Sequence, residues 1–174
     1  MTIEVSNQLS QAKSHTHSTS ANPSEVSFSS GGFSCYVVGF KHRPTSLLSS
    51  FVKLGLWCHK KTAYSTHVGI VTVCYGEKHF WEMTTGGVCH STEWDNDRVA
   101  WVLWVPCNTN DVLTRIETVI RTRVKNDVWQ WIRLLLCQQC YNCVWFVQTV
   151  LELSTMCLLS PDELRDLLKL DFYP

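Results

Sequence analysis

Two runs rich in β-branched and aromatic residues, "STHVGIVTVC" and "HFWEMTTGGV", are joined by nothing more than "YGEK". So short a connection leaves a β-hairpin as the natural outcome. An isolated hairpin is barely stable in water, so the pair needs further strands and a cover for its apolar face. "FSCYVVGF" upstream and "RVAWVLWVP" downstream, the latter stopped by Pro106, supply strand material. The hairpin therefore belongs to a sheet, and the sheet needs helices against it.

The helical periods follow the strands. "NTNDVLTRIETVIRTRV" carries an Asn that can cap and an apolar series of Val112, Ile116, Val119 and Ile120. "SPDELRDLLKL" has a capping box from Ser160 to Glu163, with Pro161 at the first helical position. Between them, "CVWFVQTVLEL" after Asn142 is apolar on nearly every side; Gln148, Thr149 and Glu152 alone break it and fall on one helical face. A helix of that composition is expected to be buried. "PTSLLSSFVKLGLW" has helical spacing at Leu47, Leu48, Phe51 and Val52 and a basic end in "HKK", and "DVWQWIRLLL" is read as a further short helix. Strands followed by helices predict an α+β domain.

Residues 1–32 are rich in Ser, Thr, Asn, Gln and His and hold few large apolar side chains. Such a segment cannot offset its ordering entropy and is expected to be a disordered tail before a single domain over residues 33–174. His15 and His17 in "SHTHS" are read as part of that tail rather than as a metal site. The chain has 15 basic and 15 acidic residues, so no global positive field argues for nucleic acid. No apolar run approaches a membrane-spanning length. "MTIEVSNQLSQAKSH" has no apolar core of a secretory signal, which predicts a reducing, cytoplasmic setting and free thiols for the nine cysteines.

Cys143 admits three readings. Cys137, Cys140 and Cys143 form C-x-x-C-x-x-C, yet a structural zinc takes four ligands, and nothing specifies whether Cys58, His59 or Cys157 would complete it. The plainer reading makes these cysteines small core hydrophobes. The third makes Cys143 a nucleophile. It directly precedes the apolar helix, with Asn142 as a turn or cap residue, and a helix N-terminus lowers a thiol's pKa. On this reading no metal and no cofactor is expected.

A thiolate nucleophile needs a base. His67 opens an apolar strand, where an unpartnered imidazole would cost stability; the alternative is a satisfied edge histidine. Glu82 sits inside an aromatic strand, and a carboxylate there is expensive unless paired. An imidazole partner would offset that cost and orient the ring. A tight turn at Gly76–Glu77 would leave His67 and Glu82 four residues apart, about 13 Å at strand rise, so their meeting calls for a wider loop or a bulge. His79 is the reserve for the third group.

The order His67, Glu82, then Cys143 at a helix start resembles the circularly permuted branch of the NlpC-type papain-like superfamily. "HVGI" is similar to that family's histidine strand, "FWEMTTGGV" to the strand after it, and "YNCVWFVQTVL" to its cysteine block. The "NC-x-x-F-V" pattern is similar to the cysteine motif of the lecithin:retinol acyltransferase group and of viral proteins with the same histidine box and Asn-Cys pair. The likeness spans residues 33–153. The interval from His67 to Glu82 is a few residues longer than is common there, and Trp145 stands where the acyltransferase-like motif often has histidine.

The resemblance implies a papain-like antiparallel sheet packed on a buried cysteine-bearing helix. It implies attack by Cys143 on a carbonyl, with His67 as base and then acid and Glu82 orienting it. The Cys143 N–H would serve as oxyanion donor, with Asn142 at its side and Tyr64 as a second contact. A peptide, isopeptide or acyl substrate follows, with an amidase or peptidase first and a lipid-directed thioesterase or acyltransferase as the alternative. The apolar, Trp-rich stretches would suit peripheral membrane contact, although core helix is their plainer reading. A non-catalytic interaction module with a Cys-ligated zinc is the reading of another class. The cysteine and tryptophan content with a permuted order suits a viral or phage gene. Oligomeric state is not legible.

Overall fold

A computed structural model describes residues 33–41, 64–124, 142–154 and 159–173, together with positions 50, 54 and 57. The expected tail, most of "PTSLLSSFVKLGLW", all of "DVWQWIRLLL", and Cys58, His59, Cys137, Cys140 and Cys157 lie outside these residues.

The hairpin is present, and its turn is one residue earlier than the expected Gly76–Glu77. Strand β2 (Ser65–Cys74) pairs with β3 (Glu77–Thr84) from Cys74↔Glu77 to Gly69↔Glu82, so Tyr75 and Gly76 alone make the turn. Both have positive φ, 51° and 86°. That is the type I′ geometry whose twist matches the flanking strands, and it is easiest with glycine at the second position. Tyr75 adopts it with its ring against Phe33.

"HFWEMTTGGV" is not one strand. The chain turns again at Thr85–Gly86, and β4 (Gly87–Ser91) pairs back on β3. Thr84 Oγ1 spans this turn, accepting from the Gly86 N–H and donating to the Gly87 carbonyl. With β1 (Phe33–Lys41) and β5 (Val99–Val105), the strands form a five-stranded antiparallel sheet in the order β4-β3-β2-β1-β5. β5 stops directly before Pro106, as expected.

Two register breaks line up across the sheet. Phe40 of β1 pairs with His67 and Lys41 with Ser65, leaving Thr66 as an extra residue on β2. On the other side Gly39 pairs with Trp101 and Phe40 with Val99, leaving Ala100 extra on β5. Bulges of this kind bend a strand and re-aim its side chains.

Among the described residues, three helices cover one face. Helix α1 (Thr109–Arg121) is capped by Asn108, whose Oδ1 accepts from the Asn110 N–H. Its Val112, Ile116 and Val119 are buried, while Ile120 is half exposed at the edge of the apolar stripe. Helix α2 (Cys143–Val150) packs on β2 and β3, and α3 (Pro161–Phe172) lies against β1, β2 and β5. The capping box of α3 forms in both directions between Ser160 and Glu163.

The core under the helices joins Val37, Val68, Ile70, Met83 and Val105 of the sheet to Ile116, Phe146, Val147, Val150, Leu164 and Leu168. A second cluster on the opposite sheet face contains Tyr36, Val38, Phe40, Val71, Phe80 and Val99, with Trp94 against it. The domain is therefore α+β, as the strand-then-helix order predicts.

Helix α2 differs from its expected form in length. It ends at Val150, and Glu152 follows with φ 54°. Gln148 is buried with its apolar neighbours and Thr149 is exposed, so the polar residues do not share one solvent face. Arg115 of α1 terminates it, donating from Nη1 to the Val150 carbonyl at 3.2 Å and pairing from Nη2 with Glu152 at 2.7 Å. A guanidinium at a helix C-terminus satisfies a carbonyl that has no partner within the helix and complements the dipole.

Candidate functional site

Cross-strand geometry sets the first contact. With Glu82 opposite Gly69, Glu82 is two residues along from the position facing His67. An offset of two keeps both side chains on the same sheet face as diagonal neighbours, within reach of long side chains. The His67 Nε2 lies 2.6 Å from Glu82 Oε2. The expected 13 Å separation came from placing the turn one residue late, which doubles the offset. No wider loop is needed.

Gly69 makes room for this arrangement. A Cβ at Gly69 would stand 2.4 Å from a ring carbon of Phe80 and 2.8 Å from the Trp81 carbonyl oxygen. The Phe80 ring occupies the missing side chain's place and packs on Phe40, whose ring in turn lies 6.0 Å from that of His67. His67 thus has aromatic walls and one carboxylate partner, and its side chain keeps 26% of its exposure.

Cys143 enters at the margin of the sheet. The β2–β3 ladder ends at Gly69↔Glu82. The next residue on β2, Val68, donates its N–H to the Cys143 sulfur, and Val144 donates a second from the first turn of α2. The sulfur also hydrogen-bonds the His67 ring. Because Nε2 is engaged by Glu82, Nδ1 is the nitrogen left for the thiol. Asn142 caps the helix, its Oδ1 accepting from the Trp145 N–H at 2.8 Å, so the turn that carries Cys143 is fixed from both ends.

The charges follow from these contacts. Burial opposes charge on His67, but the Cys143 sulfur and the Glu82 carboxylate outweigh it and push the pKa from 6.5 up to about 10. Burial also disfavours the Cys143 thiolate. The cationic ring beside it and the two backbone donors reverse that, so its pKa falls below the ordinary thiol value. Burial raises Glu82, but its bond to His67 and the charges of His67 and Arg98 lower it by more, and the net shift is downward. Arg98 is held nearby by a 3.1 Å bond from Nη2 to the Lys41 carbonyl. The favoured state is a thiolate–imidazolium pair with an ionised carboxylate behind it.

His67, Glu82 and Cys143 are thus brought together. Asn142 adjoins them as the helix cap. Tyr64, three residues before His67, is 61% exposed and uses its backbone N–H on Asp162 at 2.9 Å. His79 stands apart. It projects from the other face of β3, faces Thr72 across the ladder, and bonds the His90 ring at 3.1 Å. Among the described residues no group of three or more His, Cys, Asp or Glu could hold a metal ion.

Sequence reading missed the residues that hold the site. Gly69, Phe40 and Arg98 touch it, and Asp162, Ser65 and Trp101 brace its strand. "HVG" was visible as a strand start, but nothing local signals that Gly69 yields its place to Phe80.

No family model matches the chain, and no curated protein or solved structure matches it either. Among the described residues no helix is long and apolar enough to cross a membrane.

Proposed function

We propose that the chain is a cysteine hydrolase that opens an amide bond, as a peptidase or amidase, on a permuted papain-like scaffold. The observation that carries this reading is the single imidazole shared between Glu82 and Cys143, with the sulfur at the start of a capped helix. A structural histidine or a core thiol has no need of that combination. The chain order of histidine strand, carboxylate strand and late cysteine helix fits the permuted arrangement.

In the proposed reaction the Cys143 thiolate attacks the carbonyl carbon, and the carbonyl electron pair moves to oxygen. The oxyanion lies against the Cys143 N–H at the start of α2. The His67 imidazolium then gives its proton to the amide nitrogen, the C–N bond breaks and the amine leaves. A thioester remains on Cys143. Neutral His67 next takes a proton from water, whose oxygen attacks the thioester. The C–S bond breaks, the acid leaves, and thiolate and imidazolium are restored. Glu82 stabilises the cationic ring and fixes its tautomer throughout.

Labelling of the protein with a thiol-reactive amide probe, read on the Cys143-bearing peptide, tests this. Rapid labelling near neutral pH that is lost in Cys143→Ala and strongly slowed in His67→Ala is expected. Labelling indifferent to His67 would overturn the reading, and preference for a lipid-bearing thiol probe would move the substrate from amides to acyl esters.

A further inference from the structure

Asp162 is a buried carboxylate that the reaction above does not use. It sits in the first turn of α3, where an acidic side chain usually faces solvent and complements the helix dipole. Here it is turned inward and is 4% exposed. Its Oδ2 accepts from the N–H groups of Tyr64 at 2.9 Å and Ser65 at 3.0 Å, and its Oδ1 accepts from the Ser65 hydroxyl at 2.5 Å. The Ser65 Oγ in turn accepts from Trp101 Nε1 at 2.7 Å. One chain of hydrogen bonds therefore runs from α3 through β2 to β5.

That chain crosses the sheet where both bulges lie. Ser65 is the residue before the extra Thr66, and His67 is the residue after it. Trp101 follows the extra Ala100, and its indole lies on Gly39, where an added Cβ would collide with the ring. A bulge interrupts the ladder locally and re-aims the strand, so the way the chain enters it matters for where His67 points. The neighbour on the near side of Thr66 is Ser65, which pairs with Lys41 across the ladder and is gripped by Asp162 through both its N–H and its hydroxyl.

We propose that Asp162 is a positioning residue that, through Ser65, locks the bulge aiming His67 at Cys143. The proposal rests on the reading of Cys143 and His67 as nucleophile and base. It makes α3 part of the active-site scaffold rather than simply a cover for the core.

The test is the pH profile of Cys143 alkylation by iodoacetamide, read by mass spectrometry on the Cys143 peptide, in three variants of the full chain. Asp162→Asn keeps the size and removes the charge and one acceptor. Ser65→Ala keeps both backbone bonds and breaks the hydroxyl link, and it decides the matter if Asp162→Asn does not fold. Leu168→Val loosens the buried face of the same helix and controls for general loss of stability. In Asp162→Asn and Ser65→Ala the rate at mildly acidic pH is expected to fall on the order of tenfold, with the profile moved towards that of an ordinary thiol. In Leu168→Val the melting midpoint falls and the profile stays. A depressed wild-type profile left unchanged by both site variants overturns the proposal alone. A wild-type Cys143 that titrates as an ordinary thiol overturns the nucleophile reading and the proposal with it.

Discussion

Glu82 stands opposite Gly69 on the neighbouring strand, and from there its carboxylate reaches back two residues to the His67 ring at 2.6 Å. In the proposed reaction the carboxylate is thereby the negative charge that keeps supporting the cationic ring once Cys143 is acylated.

Glu82→Gln is therefore expected to bring the His67 pKa down from about 10 towards 6.5. If the proposed amidase reaction holds, its turnover should drop by on the order of a hundredfold, because the ring loses both its orienting partner and its charge support. NMR titration of the imidazole checks the first effect, and turnover of an amide substrate the second. An unchanged His67 titration would remove Glu82 from the site.

The pH dependence has a defined sign. Cys143 is lowered from 9.0, so the thiolate forms, and activity rises, at a pH below that of an ordinary thiol. In the proposed reaction His67 must be protonated to release the amine, so turnover is expected to fall as pH rises through about 10. Stability behaves in parallel. The raised His67 contributes stability fully below its unfolded value near 6.5 and loses it as pH climbs through about 10. The lowered Glu82 contributes above its unfolded value near 4.5 and loses it as pH falls through its depressed folded value. Denaturant midpoints measured across pH should form a plateau between about 4.5 and 6.5, falling as pH rises from 6.5 towards 10 and as it drops below 4.5.

Gly69→Ala should damage both stability and the site. The new methyl would meet the Phe80 ring at 2.4 Å and the Trp81 carbonyl oxygen at 2.8 Å, and the second of these is backbone that cannot simply rotate away. Overpacking of this kind costs about 1–3 kcal/mol. The strands part where Glu82 must approach His67, so turnover should fall more than the urea midpoint implies. Full turnover in a folded Gly69→Ala variant would show that the glycine merely fills space.

Asn142→Ala removes the side-chain acceptor for the Trp145 N–H at the start of α2. Loss of such a cap costs about 0.5–2 kcal/mol, measurable as a shift in the unfolding midpoint. The same fraying loosens the Val144 N–H that supports the sulfur. Cys143 alkylation should then need a higher pH, whereas Asn142→Asp, which keeps an acceptor, should preserve the cap.

Much of the fold was legible because its signals are local. The alternation in "FSCYVVGF" and "RVAWVLWVP", the cap at Asn108 and the box from Ser160 to Glu163 each depend on residues within a turn or a strand of one another. The cysteine helix was legible for the same reason, from Asn142 and the apolar run behind Cys143. Its length was not, because Val150 ends it through Arg115, a residue on another helix. β4 was hidden because the turn at Thr85–Gly86 follows a strand of similar composition.

By itself the sequence determined which residue types were present for chemistry: an imidazole opening one strand, a carboxylate inside the next, and a thiol at the head of a helix. Their meeting depended on register, and in a hairpin one residue of turn position moves cross-strand partners by two. Only the tertiary structure decided that Tyr75 and Gly76, rather than Gly76 and Glu77, make the turn. It also decided that Val68 gives its N–H to sulfur, and that Asp162, nearly a hundred residues away in sequence, fastens the strand start before His67. Each of these is a non-local contact between groups whose own neighbours in sequence carry no trace of the partner.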